Sequence, residues 1–241
     1  MLENIKIEDV LFLDIETVPS ADTFEALADK QQLLWDKKSK QFRNPDQSAS
    51  DVWERAGIYA EFGKIICISV GYIKEKDPYA LRLKSFYGDD ERIILSEFSA
   101  MLSKFARPGR EALLCAHNGK EFDYPYIARR MIINGLVIPD LLDNAGKKPW
   151  EVKLLDTMEL WKFGDYKSYT SLDLLTSTLG IPTPKDDIDG SMVAGIYYRE
   201  KDLERIVRYC EKDVVAIVQV ILRFMNKPLV EAGRTESVTF S

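Results

Sequence analysis

Residues 10–17, VLFLDIET, are apolar and branched except for two acids one residue apart, which predicts a buried strand carrying Asp14 and Glu16 on the same face. Two more strands are predicted over 64–73 (KIICISVGYI) and 80–87 (ALRLKSFY), joined as a hairpin through EKDP; the second alternates as a partly covered strand does. Between the first and second strands, residues 20–60 turn helix-prone, polar and aromatic, with a turn at Asn44-Pro45, and read as a helical insertion. From about Asp89 to Ala106, Ile93, Ile94, Phe98, Met101, Leu102 and Phe105 form one apolar stripe, so an amphipathic helix is expected, stopped by Pro108 and Gly109.

Residues 111–117 (EALLCAH) predict a fourth strand, followed by a turn at Asn118-Gly119 and a helix opened by Pro125, with Asp123 just ahead of it. A fifth strand is expected over 152–156, then a helix capped by Ser171 and ended by Gly180 and Pro182. The last long helix begins near Asp202 and keeps Leu203, Ile206, Val207, Cys210, Val214, Ile217, Val218 and Ile221 at helical spacing. That spacing leaves Tyr209 and Asp213 one turn apart on a neighbouring stripe. This order predicts an α/β fold with a mixed five-stranded sheet flanked by helices, the first strands an antiparallel meander and the fourth starting a parallel crossover. One domain over 1–230 and a loose tail over 231–241 are expected.

Composition narrows the classes. With 241 residues, 46% hydrophobic and 11% aromatic, the chain buries a sizeable core. No stretch approaches a bilayer span and the N-terminus has no basic run ahead of an apolar one, so a soluble, cytoplasmic protein without a membrane partner is expected. Cys67, Cys115 and Cys210 lie in apolar stretches without metal-like spacing and read as reduced core residues. A single histidine, His117, excludes multi-histidine metal sites and leaves Ser/His/Asp hydrolysis a poor rival; it reads as a strand-end residue with at most an orienting role.

Four carboxylates from three segments, Asp14, Glu16, Asp123 and Asp213, interrupt or border apolar elements. Acids in such surroundings demand a partner, and a pair of Mg2+ or Mn2+ ions suits an all-oxygen set. The net charge of −6 opposes a protein that coats duplex nucleic acid, although two divalent ions would reverse the local sign. A compensating basic strip is expected near Lys162, Lys167, Arg129 or the 37–43 segment.

Three motifs then carry a resemblance: Asp14-Ile15-Glu16-Thr17; Asn118-Gly119 with Phe122-Asp123; and Tyr209-x-x-x-Asp213. Their order and spacing resemble the DEDD superfamily of 3′→5′ exonucleases, in its tyrosine subclass, which has the ribonuclease-H-like fold. KIICISVGY, HNGKEFDYPYIARR and KDDIDGSMV are most similar to the proofreading exonuclease domain of family B DNA polymerases, and a stand-alone relative of that domain is expected. The resemblance implies that Asp14 bridges two ions, Glu16 and Asp213 complete the shell of the one that activates water, Asp123 holds the other, and Tyr209 orients the water.

Substrate contacts implied by the same likeness are Thr17, Asn118 and Phe122 at the terminal nucleotide. Arg129 and Arg130 read either as phosphate contacts or as a solvated helix face. Trp35, Trp53 and Tyr59 are candidates for stacking unpaired bases, with core packing as the alternative. Single-stranded or frayed DNA 3′ ends are the expected substrate and nucleoside 5′-monophosphates the product, with repair or end trimming as the setting. An exoribonuclease using the same site and a noncatalytic nucleic-acid-binding module are the rivals. An aspartyl-phosphate phosphatase ranks behind them, since Glu16 stands where that chemistry needs a second aspartate.

Overall fold

The computed structural model describes residues 2–148, 151–152, 154–165, 169–182 and 188–240. Six strands form one sheet: β1 (Val10–Pro19), β2 (Gly63–Lys76), β3 (Tyr79–Tyr87), β4 (Leu113–Ala116), β5 (Leu154–Asp156) and β6 (Thr235–Ser237), in the order β5-β4-β1-β2-β3-β6. β1, β2 and β3 pair antiparallel, β4 and β5 extend β1 in parallel, and β6 runs parallel to β3. The mixed α/β sheet is therefore as expected, with six strands in place of five.

The sixth strand comes from the segment expected to be a loose tail. Its docking has a buried anchor: the Glu211 carboxylate accepts hydrogen bonds from the hydroxyls of Ser85 and Ser237, both at 2.9 Å, and from that of Thr239. A buried carboxylate needs such donors, and the chain's last residues supply two of them.

Helices α2 (Glu91–Phe105) and α3 (Asp123–Ile133) cover one face of the sheet, where Leu11, Leu13 and Ile15 pack with Ile94, Leu95, Phe98, Ile127 and Met131. The opposite face carries α7 (Leu203–Phe224), whose Val214, Ile217, Val218 and Ile221 pack on Val10 and Phe12. A Cβ on Gly71 would lie 2.9 Å from Val214 Cγ1, so this glycine lets α7 approach β2 closely. Between α3 and α7 lie β5, α4 (Thr157–Lys162), α5 (Leu172–Thr178) and α6 (Val193–Gly195), the last running into a π-turn at Ile196–Glu200.

The insertion holds α1 (Asp29–Ser39) and a 3-10 run, Ser50–Ile58, around its own small core. Trp35 and Trp53 are fully buried there, 5.4 Å apart edge to face, with their indole N–H groups donated to the Ala49 and Ala21 carbonyls at 2.9 Å. Tyr59 stacks on Phe42 in the same cluster. Trp35 and Trp53 pack the insertion and are not platforms for bases, while Tyr59 is half-buried.

Candidate active site

β1 carries its two acids as a continuation of an apolar row. Val10 and Phe12 face α7, and the next alternate positions on that face are Asp14 and Glu16, followed by Val18 against Ile196 and Ile206. A β-bulge between Glu16 and Thr17 ends the regular pairing with β2 beside the acids, a common device for aiming side chains at a site. From the facing helix, Tyr209, Cys210 and Asp213 project toward this row. The Cys210 thiol donates to Asp14 Oδ2 at 3.3 Å, and the Tyr209 hydroxyl bonds the Asp213 side chain.

Asp123 arrives from the other side. It is the first residue of α3, one step further into the helix than expected, with Phe122 at the cap and Pro125 inside the first turn. Its buried carboxylate accepts from its own backbone N–H and from that of Ile15, which brings it beside β1, while Oδ1 has no partner among the described residues. An orphaned buried acceptor of this kind calls for a ligand.

Electrostatics show the four acids acting on one another. Burial, then Asp123, Asp213 and Glu16, pushes the Asp14 carboxyl well above the usual range. Burial and then Asp213 do the same to Glu16, and burial raises Asp123 to about 7. Like charges brought together out of water cannot all ionise without a cation. Asp14, Glu16 and Cys210 hold potential ligand atoms within 4.8 Å of one another. Burial raises the thiol of Cys210 far enough that it stays protonated, so it serves as a hydrogen-bond donor to Asp14 and leaves the oxygens as the candidate ligands. Such a set, with the unpartnered Asp123 oxygen buried beside β1, fits hard divalent ions. The Tyr209 phenol is likewise raised, first by burial and then by Asp213, and therefore stays a proton donor.

The loop before α3 is built by an acid that the sequence reading missed. Asp156, buried at the end of β5, accepts from the backbone N–H groups of Asn118 and Lys120, both at 3.0 Å, and caps α4 through Met158 and Glu159. Asn118 adopts a left-handed φ of 59°, which asparagine tolerates better than most residues, and its buried Oδ1 has no partner among the described residues. His117 braces the same loop: its ring bonds Thr157 Oγ1 at 2.8 Å and the Thr170 carbonyl at 2.9 Å, and burial lowers its pKa, so it is neutral and structural. Only Asp156's place at a strand end hinted at its role, since a capping aspartate is common.

Remaining candidates fall out unevenly. Thr17 bonds the Tyr126 hydroxyl, itself donated to the Gly57 carbonyl at 2.7 Å, and Phe122 packs on Tyr126 with ring centroids 5.3 Å apart. Arg130 is no phosphate contact: it is clamped on buried Glu91, with Nε 2.8 Å and Nη2 2.5 Å from the two carboxylate oxygens, and donates to the Ala60 carbonyl. Arg129, its neighbour, is exposed. Lys40 and Arg43 are held on Asp36, Lys38 lies over the Tyr59 ring, and Lys167 and residues 183–187 fall outside the described residues. No helix among the described residues is long and apolar enough to cross a membrane.

Comparison with known proteins bears on the fold and the family. In fold, the chain is similar to the family B DNA polymerase of the hyperthermophilic archaeon Pyrobaculum calidifontis, at 15% identity and a TM-score of 0.54, over 90% of this chain and 24% of the polymerase. The chain thus matches about a quarter of that protein's length. A family described as "predicted 3'-5' exonuclease related to the exonuclease domain of PolB" matches residues 58–233, a span that takes in Asp123, Tyr209 and Asp213 and begins beyond Asp14 and Glu16. Over most of its length, therefore, this chain belongs to the family of predicted 3′-5′ exonucleases related to the exonuclease domain of PolB.

Proposed function

We propose that the protein is a metal-dependent exonuclease that hydrolyses phosphodiester bonds from the 3′ end of single-stranded or frayed DNA and releases nucleoside 5′-monophosphates. The observation that carries this reading is the mutual repulsion of four acids drawn from β1, α3 and α7, one of which, Asp123, keeps a buried oxygen with no partner among the described residues. Asp14, Glu16, Asp123 and Asp213 would hold two Mg2+ or Mn2+ ions. When bound, the ions supply a hydroxide at neutral pH and stabilise charge on the leaving oxygen.

The chain's own groups do the rest. Tyr209, protonated and bonded to Asp213, orients the attacking water and does not act as base. Asn118 Oδ1, unpartnered at the loop beside Asp123, accepts a hydrogen bond from the terminal nucleotide. Phe122 sits where a frayed base meets the helix cap. The Thr17 hydroxyl is engaged with Tyr126, so Thr17 meets the substrate through its backbone.

Digestion of matched 5′-labelled single-stranded DNA and RNA with Mg2+, Mn2+ or EDTA tests this. A metal-dependent ladder shortening DNA from its 3′ end is expected. Faster shortening of RNA would replace DNA as the substrate, and binding without cleavage of either would overturn the enzyme. Tyr209→Phe should lower turnover about ten- to a hundredfold, the worth of one hydrogen bond to a charged group, with KM little changed. Saturating Mn2+ should raise the melting temperature: at 100 times its Kd the ion adds about 2.7 kcal/mol, or about 5–10 °C for a chain of this size. A differential scanning trace that is the same in EDTA and in Mn2+ would contradict the assignment of the acids as ligands.

A further inference from the structure

On the face of the sheet opposite the acids, a groove of about 900 Å³ opens between the ends of β1, β2 and β3 and the last turn of α2. Its floor is apolar and aromatic: Leu11, Val70 and Met101, with Tyr72 set edge to face on Phe105 at 6.4 Å. Its walls are basic. β2–β3 register sets Lys84 opposite Val70 and Arg82 opposite Tyr72, while α2 and the turn after it add Lys104, Arg107 and Arg110, and β2 adds Lys74.

Acids at the rim are already neutralised. Asp9 is paired with Arg110, Glu8 with Lys76, and Glu236 with Lys74 and Arg82. Lys84, Lys104 and Arg107 are exposed and have no ion-pair partner among the described residues. In a chain of net charge −6, three cations without ion-pair partners beside an aromatic floor, Lys84 lying over the Phe86 ring at 5.0 Å, are a local reversal of sign. Stacking surface beneath spaced cations is the combination by which single-stranded nucleic acid is held without regard to sequence.

We propose that this groove binds the nucleic-acid strand upstream of its cleaved end, with a base on the Tyr72 ring and phosphates on Lys84, Lys104 and Arg107. The inference rests on the exonuclease reading for its choice of ligand, but the groove's location does not. Because groove and acids lie on opposite faces, a strand reaches both only by passing around the end of the sheet. A trinucleotide held at the acids therefore leaves the groove empty, whereas a long strand fills it. The groove supplies the electrostatic attraction that the acidic site lacks.

Fluorescence anisotropy of a labelled DNA of roughly 20 residues, longer than a single-strand site, reads the groove in EDTA, where cleavage is off. The triple variant Lys84→Gln, Lys104→Gln, Arg107→Gln should bind at least about tenfold more weakly, and its log Kd against log salt should flatten by about 2, as expected for three lost phosphate contacts. Lys30→Glu with Lys227→Glu, which changes net charge by a similar amount at other exposed sites, should leave both quantities near wild type. Metal-dependent hydrolysis of a trinucleotide should be unchanged in the triple variant. Undiminished binding of the long strand, or a loss equalled in the control, would overturn the groove. Absence of trinucleotide hydrolysis in every protein would instead remove the exonuclease and leave the binding result standing.

Discussion

Asp14→Asn is expected to abolish metal-dependent cleavage, lowering turnover on the order of 10³-fold or more, the several kcal/mol that bound metal charge supplies to the transition state. Asparagine keeps the shape of the side chain and its place in β1, so the loss reports charge and not packing. The same substitution should stabilise the metal-free protein. Burial and the charges of Asp123, Asp213 and Glu16 hold the Asp14 carboxyl well above the ordinary range. An acid raised in this way contributes full stability only below its unfolded pKa of about 4 and loses it as pH climbs toward the folded value. The advantage of asparagine therefore appears above about pH 4 and is complete once the native carboxyl has ionised. In EDTA at neutral pH the variant should melt above wild type, and Mn2+ should reverse the order. Retention of a tenth of the wild-type rate would show that Asp14 is not a ligand.

Arg130→Ala should destabilise the fold by about 3–5 kcal/mol, because it leaves the buried Glu91 carboxylate with only neutral donors. Those donors are the Ile65 backbone N–H at 2.7 Å and the Asn134 amide at 2.8 Å. The three elements joined here, α2, α3 and β2, are those that set Asp123 against β1, so the melting temperature should fall by about 10 °C or more. Replacing both partners, Glu91→Gln with Arg130→Met, should recover a large part of the loss, since an uncompensated buried charge and not the missing pair dominates it. Urea unfolding of the three variants checks this. A loss below about 1 kcal/mol for Arg130→Ala would place the guanidinium in solvent, free to reach phosphates, as exposed ion pairs contribute no more.

Much of the site was legible because its parts are local patterns. Alternation in VLFLDIET placed Asp14 and Glu16 on one face, and α7 continues Phe12's apolar row until Cys210, Tyr209 and Asp213 meet the acids. Motif order pointed to a third element, and in the structure the Asp123 carboxylate accepts from the Ile15 backbone N–H. Neither Cys210 nor Asp156 was visible as part of the site. A cysteine inside an apolar stripe looks like core until the strand residue facing it is known to be Asp14, and a strand-end aspartate looks like a helix cap until two amides from a distant loop are found on it.

Local pattern was enough for five of the six strands, the long helices and the candidate acids, since periods of 2 and 3.6 residues report which face of an element is buried. Tertiary structure alone decided which polar and aromatic residues were spent on packing. It set Arg130 on Glu91 while leaving Arg129 exposed, closed Trp35 and Trp53 into the insertion's own core, and turned the tail into β6 over Glu211. Each of these is a contact between segments tens to more than a hundred residues apart in some cases, such as Ser85 with Glu211. Local periodicity holds no information about such partners: a side chain's neighbour across the fold is set by strand order and helix placement, which exist only once the chain has closed.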